Sequence, residues 1–221
     1  MRGYYKFKNE PLPDFTNKNE RKKMKKAIEK VRKEFGTLYS IVIGGIPFES
    51  DKTFYSINPN KPSEIIGEFF VANKDHIDTA VDVAKDALKK WRNKSLEERA
   101  EHLFRLAKVL KKKKYEISAL MVLEVGKNWL EAVADINELI DFCNFYGKEA
   151  VRLSKTKPRD METEEIDFRY EPIGVGAIIA PWNFPSSQFS CFSCSFPCSC
   201  TKKTFFNYFF SNRRIFFKIF A

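Results

Sequence analysis

The chain has 221 residues, 43% hydrophobic and 31% charged, which is enough to bury a real core in one large or two small domains. Its net charge of +10 is unevenly placed: residues 186–221 carry Lys202, Lys203, Arg213, Arg214 and Lys218 with no acid, so the remainder is only mildly basic and gives little reason to expect a nucleic-acid partner. "MRGYYKFKNE" lacks the apolar run of a signal peptide, no stretch approaches membrane-spanning length, and Cys143 is the single thiol before residue 186, so a cytoplasmic chain without a disulfide scaffold or a membrane partner is expected.

Residues 1–17, with Pro11 and Pro13, read as an extended arm. "NKNERKKMKKAIEKVRKEFG" predicts a basic helix stopped at Gly36, with Met24, Ile28, Val31 and Phe35 forming one narrow buried stripe and the cations forming its solvated face. Gly44-Gly45 in "LYSIVIGGIPFES" marks a hairpin turn. The stretch "TFYSINPNKPSEIIGEFFVA" continues as strand, turn and strand, with the turn at Asn58-Pro59 and Lys61-Pro62.

Helical spacing begins at residue 75. Ile77, Ala80, Val81, Ala84, Leu88 and Trp91 fall on one face of a helix over 75–92. Ser95 and Glu98 form a capping box for the next helix, which turns Leu103, Leu106, Ala107 and Leu110 inward and ends at the lysine run 111–114. A further helix closes at Gly126, and a long one over about 129–152 buries Ala132, Ile136, Leu139, Ile140, Cys143 and Tyr146. Residues 165–171 and 174–180 read as strands, the second apolar throughout and so buried on both faces. Strands, four helices and a buried strand describe an α/β fold.

That last strand runs into Pro181-Trp182-Asn183-Phe184-Pro185. Ligands of open α/β sheets bind beyond the carboxyl ends of the strands. Two prolines stiffen the turn, Trp182 and Phe184 offer flat apolar walls, and Asn183 offers an amide donor that never changes charge. Such a donor stabilises a developing oxyanion. An aromatic core turn with Asn183 bonded to backbone is the plainer alternative.

"EPIGVGAIIAPWNFP" resembles the aldehyde dehydrogenase superfamily, and so does the chain throughout "SINPNKPSEIIGEFF" to "NFYGKEAV". Within it, "FKNEPLPDF", "VIGG" and "ELIDFCNFYGKEA" look most like the pyrroline-5-carboxylate dehydrogenases, over about residues 6–185. The resemblance implies the N-terminal part of an aldehyde-dehydrogenase fold with an incomplete Rossmann-like NAD-binding sheet, and a homo-oligomeric parent enzyme oxidising a small aldehyde, glutamate γ-semialdehyde, to glutamate. It implies that Asn183 holds the thiohemiacetal oxyanion. Ile179, Ala180, Pro181 and Trp182 would line the nicotinamide-ribose side of NAD. Phe184 would wall the substrate channel, and Glu138 would sit near the charged end of the substrate or, equally, be a solvated helix residue.

Domain limits follow: 1–74 for the arm, helix and strand-turn elements, 75–153 for the helical block, 154–185 for the first strands of the NAD-binding domain, and 186–221 for a tail of another character. Residues 186–221 contain ten of the chain's 22 Phe and no Gly, Val or Leu, as expected of a coding region read out of frame. The family's nucleophilic cysteine and water-activating glutamate lie downstream of this turn and are not found in frame, so a truncated chain without turnover of its own is expected. Rival readings make the basic, Phe-rich tail a nucleic-acid or membrane-surface module, or make the chain a regulatory fragment assembling with an intact paralogue.

Other features carry less. Gly174-x-Gly176 lacks the third glycine and helix of a dinucleotide fingerprint and reads as a packing feature. Cys143 reads as a buried structural thiol, and His76 and His102 as helix surface residues. Cys191, Cys194, Cys198 and Cys200 crowd together with too short a spacer for two zinc-ligand pairs, so no metal is expected.

Overall fold

The computed structural model describes residues 7–155, 163, 174–177 and 183–186. Helix α1 (Lys18–Arg32) starts where Asn17 accepts the Asn19 amide and buries Met24, Ala27 and Val31. The chain then turns at Gly36, whose φ of 76° suits a residue without Cβ. Short strands β1 (Thr37–Tyr39), β2 (Ile41–Ile43) and β3 (Ile46–Phe48) follow, then β4 (Thr53–Asn58) and β5 (Lys61–Phe70). Between β2 and β3, Gly44 and Gly45 take φ of 62° and 86°, the left-handed pair required by a tight two-residue hairpin, and Ile43 faces Ile46.

One sheet has the order β1-β5-β4, with β1 parallel and β4 antiparallel to β5. The turn between β4 and β5 lies at Pro59-Asn60, where Asn58 Oδ1 accepts the Asn60 amide at 3.0 Å. Lys61 and Pro62 therefore belong to β5 rather than to the turn. Pro62 stands at the outer end of that strand, where an absent N–H costs little.

Three helices complete the described chain: α2 (Lys74–Trp91), α3 (Leu96–Val125) and α4 (Trp129–Leu153). The expected break at the lysine run does not occur, and α3 continues for 30 residues. Lysine is a good helix former. Leu110 and Ile117 are also seven residues apart, so the buried stripe stays in phase across the run. Lys111 and Lys114 both pair with Glu10 of the arm. Burial pushes the Glu10 carboxyl up, but Lys111 and then Lys114 outweigh it and hold it below the usual range.

Helices α3 and α4 form the main core, in which Leu110, Ile117, Met121, Ile136, Leu139, Ile140 and Cys143 are buried. Each aliphatic side chain so buried contributes roughly 1.5–3 kcal/mol. Close approach needs Gly147: a Cβ there would lie 2.6 Å from Phe104 Cε1. On the other side of α3, Met24, Ala27 and Val31 pack with Ile66, Ala119, Leu123 and Val133.

The arm lies against α4. Asp141 accepts the Asn9 side chain at 2.9 Å and the Glu10 amide at 3.0 Å, while Asn137 Nδ2 donates to the Pro11 carbonyl at 3.0 Å. Helix α2 covers the β2–β3 hairpin through Ala80, with Trp91 buried at its far end. Val81, expected on the inner face, is exposed, because the narrow hairpin covers only the strip of α2 around Ala80.

The expected strands at 165–171 and 174–180 lie mostly outside the described residues. Gly174–Ala177 are described, carry no strand assignment and are largely exposed. A strand buried on both faces needs neighbours on both edges, and no described strand pairs with this segment. Among the described residues, nothing lies within 4 Å of a Cβ placed at Gly174 or Gly176.

Candidate active site

The site is built at the corner between α3 and α4. Helix α3 stops at Gly126 in the left-handed conformation, φ 75°, and α4 starts where Asn128 accepts the Glu131 amide at 2.9 Å. Lys127 lies between these two caps, so its position is fixed from both sides. Its Nζ donates to Asp135 Oδ2 at 2.7 Å. The Asp135 side chain is only 1% exposed, and that of Lys127 12%. A carboxylate so buried is tolerable only when paired, and Lys127 supplies the charge.

Residues 183–186 dock on this pair. Ser186, fully buried, donates its hydroxyl to Asp135 Oδ1. The Phe184 ring lies over Lys127 Nζ with its centroid 4.7 Å away, a cation–π contact. Pro185 is buried between them. Both Asp135 oxygens are thereby engaged, one by a cation and one by the docked turn.

Of the residues expected to act, Asn183 is exposed beside these anchors, and its side chain has no hydrogen-bond partner among the described residues. Phe184 is 41% exposed, so one part of the ring covers Lys127 while the rest faces outward. Glu138 is exposed on α4, one turn beyond Asp135, and forms no ion pair among the described residues. Ile179, Ala180, Pro181 and Trp182 lie outside the described residues.

Lys127, Asp135 and Ser186 were not singled out from the sequence. Asp135 did leave a signal: it lies on the apolar stripe of α4 between Ala132 and Leu139, where an unexplained acid implies a buried partner. Ser186 left none, being the first residue of the stretch that looks foreign.

Other candidates resolve into structure. His76 closes a capping box with Asn73, its Nδ1 accepting the Asn73 amide at 3.2 Å. His102 packs against Trp91 with ring centroids 5.2 Å apart and the planes tilted by 56°. Cys143 is buried within the α3–α4 core. Among the described residues no group of His, Cys, Asp or Glu could hold a metal ion, and no helix is long and apolar enough to cross a membrane. Nor do the described residues form a cradle for a dinucleotide, since Gly174 and Gly176 open no described helix.

The profile of the aldehyde dehydrogenase family matches residues 46–193, most of the chain and the whole of this corner. The chain belongs to that family. Among curated relatives it is similar to the 1-pyrroline-5-carboxylate dehydrogenase of Geobacillus sp. (strain WCH70), 43% identical over 180 residues, covering 81% of this chain and 35% of the relative. Its counterpart in Oceanobacillus iheyensis is 41% identical over 179 residues, covering 80% and 35%. The present chain thus spans about a third of the length of the relatives it matches.

The fold agrees. A Thermus 1-pyrroline-5-carboxylate dehydrogenase solved with bound NAD superposes with a TM-score of 0.81 at 35% identity, covering 89% of this chain and 38% of that one. The enzyme from Mycobacterium tuberculosis gives 0.73 at 26% identity, covering 85% and 36%. The chain therefore has the N-terminal part of the aldehyde dehydrogenase fold.

Proposed function

We propose that the chain is the N-terminal part of an NAD-dependent aldehyde dehydrogenase acting on glutamate γ-semialdehyde, the open form of 1-pyrroline-5-carboxylate, and producing glutamate. The observation that carries this reading is the exposed Asn183 amide, without a hydrogen-bond partner among the described residues, beside a turn anchored on Asp135 and Lys127.

When an aldehyde carbon is attacked, its oxygen gains negative charge. A neutral amide already held in place stabilises that charge without having to reorganise, and stays uncharged at every working pH. The outward part of Phe184 offers an apolar wall for the methylenes of a short semialdehyde. Glu138, exposed and unpaired among the described residues, lies one turn from the anchor, and we read it as the acid that receives the substrate's ammonium group. NAD, when bound, accepts the hydride; the residues that the resemblance gives it are Ile179 to Trp182.

By itself the 221-residue chain is proposed to be without turnover. The family's reaction needs a reactive thiolate, and the one cysteine among the described residues, Cys143, is sealed inside the α3–α4 core.

A graft tests the reading. Residues 1–186 would replace the matching segment of the Geobacillus relative, and NADH formation from glutamate γ-semialdehyde would be followed. An active graft in which Asn183→Ala lowers kcat by about 10²–10³-fold is the expected result. A folded graft whose kcat is unchanged by Asn183→Ala overturns it.

A further inference from the structure

We propose that Lys127 and Asp135 are positioning residues that dock segment 183–186 and thereby set the direction of Asn183; the inference rests on the reading of Asn183 as the oxyanion donor. Two anchors act within three residues. Ser186 is tied to Asp135 by a hydrogen bond, and Phe184 is tied to Lys127 by its ring. Pro185, buried between them, fixes the backbone dihedral that joins the anchors. Asn183 is the next residue outward, so its Cα has little freedom left once both anchors hold.

The two anchors also depend on each other. Lys127 neutralises Asp135 at 2.7 Å, and without it the buried carboxylate that accepts Ser186 would lose this cation. Phe184 in turn covers the ammonium that holds Asp135. An exposed polar side chain can be aimed precisely only if its backbone is held from behind, and the α3–α4 corner supplies that support from elements closed by their own caps.

Competitive acetylation of lysines in the full 221-residue chain, read peptide by peptide by mass spectrometry, tests the docking without substrate or cofactor. Its failure is therefore distinct from failure of the Asn183 reading, which the graft decides. Lys127 should react far more slowly than exposed Lys74. Ser186→Ala and Phe184→Leu should each raise the Lys127 rate by about fivefold or more, the factor for one lost contact of ordinary strength. Phe184→Tyr keeps a ring over Nζ and should restore the slow rate. Half-buried Lys114, which is paired with Glu10, should stay slow throughout.

An unchanged Lys127 rate in both variants overturns the proposal. So does a parallel rise at Lys114, because the turn would then be supporting the whole helix pair rather than being aimed by it.

Discussion

Ser186 donates its hydroxyl to Asp135 across 51 residues of sequence, and that bond joins the turn bearing Asn183 to the first turns of α4. The acceptor's other oxygen is already held by Lys127. Asp135→Ala removes both bonds and leaves the Lys127 ammonium, on a side chain 12% exposed, with an aromatic ring as its one remaining partner among the described residues. A loss of about 2–3 kcal/mol in unfolding free energy is expected, measured by urea denaturation followed by circular dichroism. Asp135→Asn keeps an acceptor for Ser186 and should cost less. Equal losses in the two variants would show that the charge pair, rather than the docked turn, carries the stability.

Gly147 presents a contest between two effects. Alanine in a helix interior is favoured over glycine by about 1 kcal/mol. Against that, a Cβ at 147 would sit 2.6 Å from Phe104 Cε1 and 2.9 Å from its Cζ. Overpacking of this kind costs about 1–3 kcal/mol, so Gly147→Ala is expected to lower stability. Phe104→Leu should rescue it, since the clash is with the far end of the ring. A Gly147→Ala chain more stable than the parent would mean that the ring swings away freely.

Acid should loosen the join between α1 and β5. The Glu64 carboxyl is held down at about 2, from an ordinary 4.5, by the Asn58 amide first and the Arg32 guanidinium next. Arg32 Nη1 lies 2.5 Å from Glu64 Oε1, and Asn58 Nδ2 lies 2.8 Å from Oε2. A lowered folded-state pKa gives stability that is fully present above the unfolded value and lost as pH falls through the folded one. The window is therefore about pH 4.5 down to about 2. Thermal unfolding followed across that range should fall less steeply in Glu64→Gln than in the parent, and identical slopes would exclude Glu64 as a contributor.

Where the sequence was legible, local chemistry decided the outcome. The Gly44-Gly45 hairpin, the Ser95–Glu98 capping box and the α4 stripe each depend on residues a few positions apart. Where it misled, a distant partner decided. The lysine run at 111–114 looked like a helix end because the arm residue that pairs with two of its lysines, Glu10, lies about a hundred positions earlier. Val81 looked buried because periodicity reports a face but not the width of what covers it. The Asn183 turn drew attention in the sequence through its own Pro-Trp-Asn-Phe-Pro chemistry, whereas its anchors did not, because Asp135 and Ser186 acquire their meaning only from each other.

That dependence should appear in the kinetics. A donor to a developing oxyanion is worth little in the ground state and much in the transition state, so misdirecting Asn183 should lower kcat while leaving KM nearly unchanged. In the graft carrying residues 1–186, Lys127→Gln is expected to reduce kcat by about tenfold or more, as befits a displacement of well under 1 Å at a reacting group. Lys127→Arg retains both the charge beside Asp135 and a cation beneath Phe184, and should recover most of the rate. A general loss of structure gives a different pattern, in which active-enzyme concentration falls, KM is unaffected and the arginine variant does no better than glutamine. Titrating active sites before comparing rates separates the two, and a kcat per active site unchanged by Lys127→Gln would mean that Asn183 is aimed by something other than this corner.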